Sequence, residues 1–315
     1  MAMYELFRST LEITLPVFAM VFIGLGLKRA RWIDPAFVAT ASQLVFKATL
    51  PTLIFLSIVR ADLSAALDPS LLGFFAVATL GSVLFCWGWA SLRVPYRERG
   101  VYIQGAFRGN CGIVGLALAA GMYGHFGLST GSLLLGVVIL TYNAFSVIAL
   151  VTYQEGQRAD WRSMLRHIAT NPLILAVVVA VPVATTGWPL PGWLATSGDY
   201  FASLTLPLAL ICIGATLSFS EIRHSGRLAL SASLMKMVTL PMLATGAAWL
   251  AGFEGPALGV MFLFFASPTA AAAFVMAKAM GANAGLTANI IALTTLMASL
   301  TITLGAFGLQ LAGLI

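Results

Sequence analysis

Long apolar stretches alternate with short polar segments along the whole chain. A bilayer core about 30 Å thick is crossed by a helix of about 20 predominantly apolar residues. Glycine, proline and small polar clusters separate the stretches. The pattern predicts an all-α integral membrane protein with ten transmembrane helices, at about residues 9–27, 36–58, 70–92, 100–122, 128–152, 172–187, 192–219, 228–251, 256–277 and 285–312.

The composition agrees with this pattern. Hydrophobic residues make up 60% of the chain and charged residues only 9%, whereas a soluble domain carries roughly 25% charged residues. The three cysteines lie in apolar stretches without a CxxC pair, so they predict neither a disulfide framework nor a metal site. The histidines fall in predicted loops and a second deep Asp is absent, which argues against an intramembrane protease. We therefore expect neither an enzyme activity nor a cofactor.

The basic residues are concentrated in alternate loops. Twelve of the 17 Lys and Arg residues follow the first, third, fifth, seventh and ninth predicted spans, whereas the opposite side carries Arg8 and Arg60. Because cytoplasmic loops carry the excess of Lys and Arg, we expect a multi-pass protein of the cell (inner) membrane with both termini on the non-cytoplasmic side. Loop charge also accounts for the net charge of +6, so nucleic acid is not an expected partner.

Two similar segments indicate an internal repeat. Residues 47–64 and 203–220 place Thr-Leu-Pro at the same position, at an offset of 156 residues. Two halves of five spans each would cross the membrane in opposite directions, which is the inverted-repeat architecture of many secondary carriers. The predicted units are a first repeat at 1–152, a cytoplasmic linker at 153–171 and a second repeat at 172–315.

The fourth and ninth spans contain helix-breaking residues at equivalent positions. The fourth span reads RGNCG at 108–112, and the ninth reads ASPT at 266–269. Pro and Gly weaken a helix, and in a membrane the freed backbone groups are tolerated only inside the protein or beside a cavity. Paired interruptions of this kind mark the substrate site of carriers, although ordinary packing kinks are the alternative. The predicted substrate-binding residues of these breaks are Asn110, Cys111, Gly112, Ser267, Pro268 and Thr269.

Three cations are predicted to lie deep in the membrane. Lys47, Arg108 and Lys236 fall about 8–11 residues inside their spans, which is about 12–16 Å at about 1.5 Å per residue. Intramembrane charges are costly and usually functional. Asp199 is the one carboxylate predicted at any depth, so an anionic substrate is the simplest compensation. Lys47, Arg108 and Lys236 are therefore also predicted substrate-binding residues. Snorkelling to the interface is the alternative, and we expect it most for Lys236.

Asp199 has two interpretations. Its position in the seventh predicted span makes it a candidate site for a coupling Na⁺ or H⁺. The alternative is a carboxylate near the outer surface whose hydrogen bonds and charge are satisfied by neighbouring groups of the protein.

Five segments together resemble the auxin efflux carrier family of bacterial and plant transporters. They are LPTLIF at 50–55, NCGIVGL at 110–116, LPLALICIGATL at 206–217, LMKMVTLPML at 234–243 and SPTAAAAFVMAKAMGAN at 267–283. The resemblance implies two inverted five-helix repeats whose helices 4 and 9 cross at a midplane site. It also implies that transport helices 3–5 and 8–10 move against scaffold helices 1, 2, 6 and 7, as in the related bile-acid/sodium symporter fold.

The resemblance also narrows the substrate. Bacterial members often carry malonate or malate, which suits a cationic cavity. The long central hydrophilic loop of the plant members is absent, so auxin is not the expected substrate. Ala117 stands where the family usually has proline, so a milder break is expected in the fourth span.

The predicted function is therefore secondary transport of a small organic anion by an elevator mechanism. The alternatives are a sodium-coupled symporter of a larger amphipathic anion, an auxin-like weak-acid exporter and a passive channel. The expected partners are the anion and the lipid bilayer, and a homodimer is left open.

Overall fold

A computed structural model describes residues 2–60, 68–153, 162, 166, 169–186, 190–217 and 226–315. Most of the predicted linker lies outside these residues. The described residues are helical apart from turns and one isolated β-bridge. The α-helices are α1 Ala2–Arg29, α2 Pro35–Leu44, α3 Leu50–Val59, α4 Pro69–Arg93, α5 Arg99–Phe107, α6 Leu116–Tyr153, α7 Pro172–Thr186, α8 Gly192–Ser203, α9 Thr205–Thr216, α10 Arg227–Leu234, α11 Leu240–Leu250, α12 Gly255–Phe265, α13 Ala272–Ala279 and α14 Ala284–Leu311.

Seven described stretches are long and apolar enough to cross a membrane. They are Thr10–Arg29, Pro35–Val59, Pro69–Arg93, Cys111–Tyr153, Gly192–Thr216, Arg227–Leu250 and Ala284–Leu311. The 43-residue stretch Cys111–Tyr153 contains a break at Gly124, whose φ of 54° and ψ of −129° are non-helical. α7 and α12 are shorter apolar helices. This content indicates a multi-pass helical membrane protein.

Several helices begin at side-chain caps that the sequence supplies. Asp34 accepts a hydrogen bond from the backbone N–H of Phe37 at 2.7 Å, just before Pro35 opens α2. Asp68 accepts bonds from the hydroxyl and backbone N–H of Ser70 at 2.6 and 2.8 Å, just before α4. These bonds lower the pKa of the Asp68 carboxyl, because they favour its charged form. A capping carboxylate followed by proline is a common helix start.

Two spans contain a single wide π-helical turn immediately before a proline. The segments are Val45–Thr49, before Leu50-Pro51, and Met235–Thr239, before Leu240-Pro241. A proline lacks an N–H, and its ring clashes with the carbonyl four residues earlier. The wider turn relieves this clash, and the N–H of Leu240 donates to the carbonyl of Met235, five positions earlier. Each π segment carries one of the predicted deep lysines.

Close backbone contact joins α1 to α9. A Cβ at Gly24 would lie 2.1 Å from the carbonyl oxygen of Ile211, and a Cβ at Gly214 would lie 1.7 Å from that of Val21. Glycine at both positions therefore allows the two helices to approach, as small residues do between transmembrane helices. α3 packs on α7 and α8, while α5 packs on α4 and α6. Residues 100–107 of α5 and 258–265 of α12 are fully buried, so these two helices end in the interior.

Candidate functional site

The two interrupted spans cross each other through their non-helical segments. α5 ends at Phe107 and α12 ends at Phe265, and the chain is extended or irregular after each. Gly109 and Thr269 form an antiparallel bridge. The N–H of Asn110 donates to the carbonyl of Pro268 at 2.7 Å, and the N–H of Ala270 donates to the carbonyl of Arg108 at 3.0 Å.

This pairing supplies hydrogen-bond partners to backbone groups that the helix breaks would otherwise leave unsatisfied. Each segment satisfies groups that the other leaves without a helical partner, as a lipid-excluded interior requires. The break in the first crossing segment is complete, with Arg108 at ψ 94° and Asn110 at ψ 56°. The chain leaves the helix at Arg108–Asn110, before Ala117, and a break milder than in relatives stays a prediction.

Lys236 lies at the centre of the crossing. Its side chain is 1% exposed, and Nζ donates a hydrogen bond of 2.8 Å to the carbonyl of Phe265. That carbonyl belongs to the last turn of α12, where the helix dipole favours a cation. A Cβ at Gly109 would lie 3.0 Å from Nζ, so glycine leaves room for the ammonium. The alternative that Lys236 snorkels to the interface is wrong, because its ammonium is buried against this carbonyl.

Arg108 is the second buried cation, with 8% exposure. Its guanidinium donates to the carbonyl of Tyr142 at 3.0 Å, to Oγ of Ser146 at 2.9 Å and to Oδ1 of Asn143 at 2.9 Å. Its Nε has no hydrogen-bond partner in the described part of the chain. Neutral acceptors on α6 therefore position this cation and leave its charge uncompensated.

Asn110, Cys111 and Gly112 form the start of the second half of the interrupted span. Asn110 is partly exposed, and its side chain makes no hydrogen bond to the residues that the structure describes. The thiol of Cys111 donates to the carbonyl of Phe264 at 3.3 Å and lies 3.7 Å from the hydroxyl of Tyr142. Gly112 is partly exposed and faces Leu135 and Leu50. Asn110 and Gly112 are thus the accessible members of the predicted set.

Ser267, Pro268 and Thr269 are buried and hold the crossing together. The hydroxyl of Ser267 donates to the carbonyl of Leu263 at 2.8 Å, and the hydroxyl of Thr269 donates to that of Gly105 at 2.7 Å. The N–H of Thr269 donates to Oγ1 of Thr294 at 3.1 Å. Their described polar groups are therefore engaged within the protein, and they position the residues around them.

Two predicted residues lie on exposed surfaces. Lys47 is exposed, and its ammonium has no hydrogen bond or ion pair within the described ranges. Asp199 makes a two-bond ion pair with Arg60, at 2.7 and 3.0 Å, and the two side chains are 50% and 41% exposed. The structure therefore gives the carboxylate of Asp199 a partner at the surface, and its role as a coupling-ion site stays a prediction.

Sequence reasoning missed Tyr142 and Ser146, two of the three residues that hold Arg108. Tyr142, Asn143 and Ser146 recur within one turn of α6, so a polar patch within an apolar span was the available signal. The carbonyl partner of Lys236 carried no such signal, because any residue has a carbonyl.

The charge of the interior is one-sided. Arg108 and Lys236 are the charged side chains buried among the described residues, and no carboxylate is buried with them there. The same residues contain no group of His, Cys, Asp and Glu that could hold a metal ion.

Known proteins that resemble this chain are transporters. A family model described as "Membrane transport protein" matches residues 9–305. An uncharacterized transporter of Methanothermobacter thermautotrophicus is 26% identical over 307 residues, covering 95% of this chain and 98% of the relative. An uncharacterized transporter of Methanocaldococcus jannaschii is 23% identical over 93% of this chain and 97% of its own length. The uncharacterized transporter YfdV of Escherichia coli K12 is 23% identical over 84% of this chain and 86% of its own.

The family match covers nearly the whole chain, and the helical content fits a membrane transporter. This family match confirms the resemblance to the auxin efflux carrier family that the five sequence segments show. The chain belongs to the membrane transport protein family, that is, the auxin efflux carrier family, and is a membrane transporter.

Proposed function

We propose that the protein is a secondary active transporter of a small organic anion, a mono- or dicarboxylate such as malonate or malate. One observation carries the proposal. Arg108 and Lys236 are buried beside the crossing, and no carboxylate is buried with them among the described residues. Burying uncompensated charge is costly, and an anion bound nearby offsets part of that cost.

The accessible start of the segment at 111–115 supports a binding position. No side chain caps this helical start, so its N–H groups and its positive dipole end are available to a carboxylate. The free side-chain amide of Asn110 adds a hydrogen-bond donor. Arg108 and Lys236 supply the attracting field, since their own hydrogen bonds already go to neutral protein acceptors.

The packing supports an elevator mechanism in a ten-helix inverted repeat. α1 of span 1 packs on α9 of span 7, and α3 of span 2 packs on α7 of span 6 and on α8 of span 7. These contacts suit a scaffold of spans 1, 2, 6 and 7. α5 packs on α4, α6 and α10, and α12 packs on α6 and α11. These contacts suit a transport unit of spans 3–5 and 8–10 that carries the crossing. We further propose that both termini lie on the non-cytoplasmic side of the cell membrane, as the loop charges predict.

The buried positive charge at the crossing also argues against sodium coupling. Sodium sites are built from oxygen ligands, and a buried ammonium at the crossing repels a second cation. The carbonyl of Phe265, one of the oxygens that the helix break frees, already accepts a bond from Lys236.

Proteoliposome uptake tests this proposal. The purified protein is offered a panel of mono- and dicarboxylates, a bile-acid-like amphipathic anion and an auxin-like weak acid, each with and without sodium and proton gradients. We expect saturable uptake of a small carboxylate without a requirement for sodium. Absence of carboxylate flux, or flux that collapses without sodium, would contradict it.

A further inference from the structure

A membrane-facing groove lies between α4 and α10, apart from the crossing. Its volume is about 330 Å³. The lining residues are Phe85, Trp89, Arg227, Leu230, Ser231, Leu234, Met235 and Thr239. Large apolar side chains dominate this lining, and four of them are 41–48% exposed on the protein surface. An apolar groove on a membrane protein is filled by lipid chains, because lipid is the solvent there.

The residues that line the groove extend along α10 and the π-helical segment that follows it. Arg227 is at its start and Thr239 is at its inner end. Twelve helical positions at about 1.5 Å each span about 18 Å, slightly more than half of a bilayer core about 30 Å thick. A chain that follows α10 from the interface would therefore reach the middle of the membrane.

Positive charge is confined to one end of the groove. Arg227 is exposed and makes no hydrogen bond or ion pair within the described part of the chain. Arg93 ends α4 about one turn after the lining residue Trp89, with its guanidinium carbon 6.0 Å from the ring centre of that indole. Among the described residues that line the groove, none is acidic. An anionic head group is therefore the complementary occupant at this end.

We propose that this groove binds an anionic phospholipid, with its phosphate at Arg227 and one acyl chain along Leu230 and Leu234. Basic sites between transmembrane helices on the cytoplasmic side recognise anionic head groups in this way. Trp89 lines the groove about one turn before the end of α4, and tryptophan is favoured near the head groups of membranes. The groove shares the π-helical segment 235–239 with the crossing, but its proposed ligand is a membrane lipid and does not depend on the proposed substrate.

Native mass spectrometry of the purified full-length protein tests the head-group contact. The protein is exchanged into equal amounts of phosphatidylglycerol and phosphatidylcholine with the same acyl chains. We expect preferential retention of phosphatidylglycerol, and about a fivefold lower retention in Arg227→Gln, since one basic residue near a membrane surface contributes about that factor. Arg97→Gln removes an equally exposed cation outside the groove and should retain the wild-type preference.

A second pair of variants tests the acyl-chain contact. Leu234→Trp fills the groove without changing its charge and should lower phosphatidylglycerol retention, whereas Leu92→Trp, at a highly exposed position outside the lining, should not. Thermal unfolding confirms that each variant is folded, and Leu230→Phe replaces Leu234→Trp if the latter is not. Equal retention of the two lipids by the wild type, equal effects of Arg227→Gln and Arg97→Gln, or unchanged retention with a filled groove would each overturn the proposal.

Discussion

Removing the buried ammonium of Lys236 should impair transport much more than it changes the stability of the fold. Lys236→Met keeps a linear side chain of similar length but deletes the charge. The ammonium costs roughly 2.5–3.5 kcal/mol at this depth, and its loss leaves the carbonyl of Phe265 without its bond, at about 1–3 kcal/mol. The two terms oppose each other, so we expect the free energy of unfolding to change by no more than about 2.5 kcal/mol.

Transport should respond much more strongly. For a carboxylate bound about 5 Å from the ammonium, Coulomb's law with an effective dielectric constant of about 20 gives about 3 kcal/mol. That energy corresponds to roughly a 100-fold weaker apparent affinity. The assay is concentration-dependent uptake of the best carboxylate of the panel into proteoliposomes, beside thermal unfolding of the same preparation.

Lys278→Met is the matched control, because Lys278 is an exposed lysine in the last turn of α13. It should leave both uptake and unfolding unchanged. Lys236→Gln serves as a second variant if Lys236→Met is not recovered folded. A folded variant of Lys236 that retains the wild-type KM and maximal rate would refute the reasoning, because the ammonium would then be structural alone.

Three further outcomes are expected. Asn110→Ala should raise the KM for the carboxylate about tenfold without changing the melting temperature, because its side chain makes no described bond; an unchanged KM would contradict its proposed role. Gly214→Ala should lower the melting temperature, because its Cβ would lie 1.7 Å from a backbone oxygen of Val21 and overpacking costs about 1–3 kcal/mol or more. Gly26→Ala, which meets nothing within 4 Å, should leave the melting temperature unchanged or raise it. Asp199→Asn should change stability by less than about 1 kcal/mol and leave uptake and its ion dependence unchanged, because the pair is exposed; lost proton or sodium dependence would instead support a coupling site.

Much of the fold followed from local pattern. Apolar stretches of membrane-spanning length predicted the long helices, because the bilayer sets one length for every span. The helix breaks at Asn110 and Pro268 were also predictable, since Gly and Pro act on their own backbone. Their pairing was not, because an antiparallel bridge between two segments about 160 residues apart depends on the packing of every helix around them.

Lys47 and Lys236 show most clearly what the sequence determines and what the tertiary structure adds. Lys47 and Lys236 each lie in a π-helical turn that ends at the Thr of Thr-Leu-Pro, so the sequence determined the same local structure for both. Their surroundings differ completely. Lys236 is buried against the freed carbonyl of Phe265, whereas Lys47 is exposed. The sequence thus determined the long apolar helices, the breaks and the charged positions within them. Tertiary structure alone decided which cation meets the crossing, because burial depends on which helix packs against each side chain.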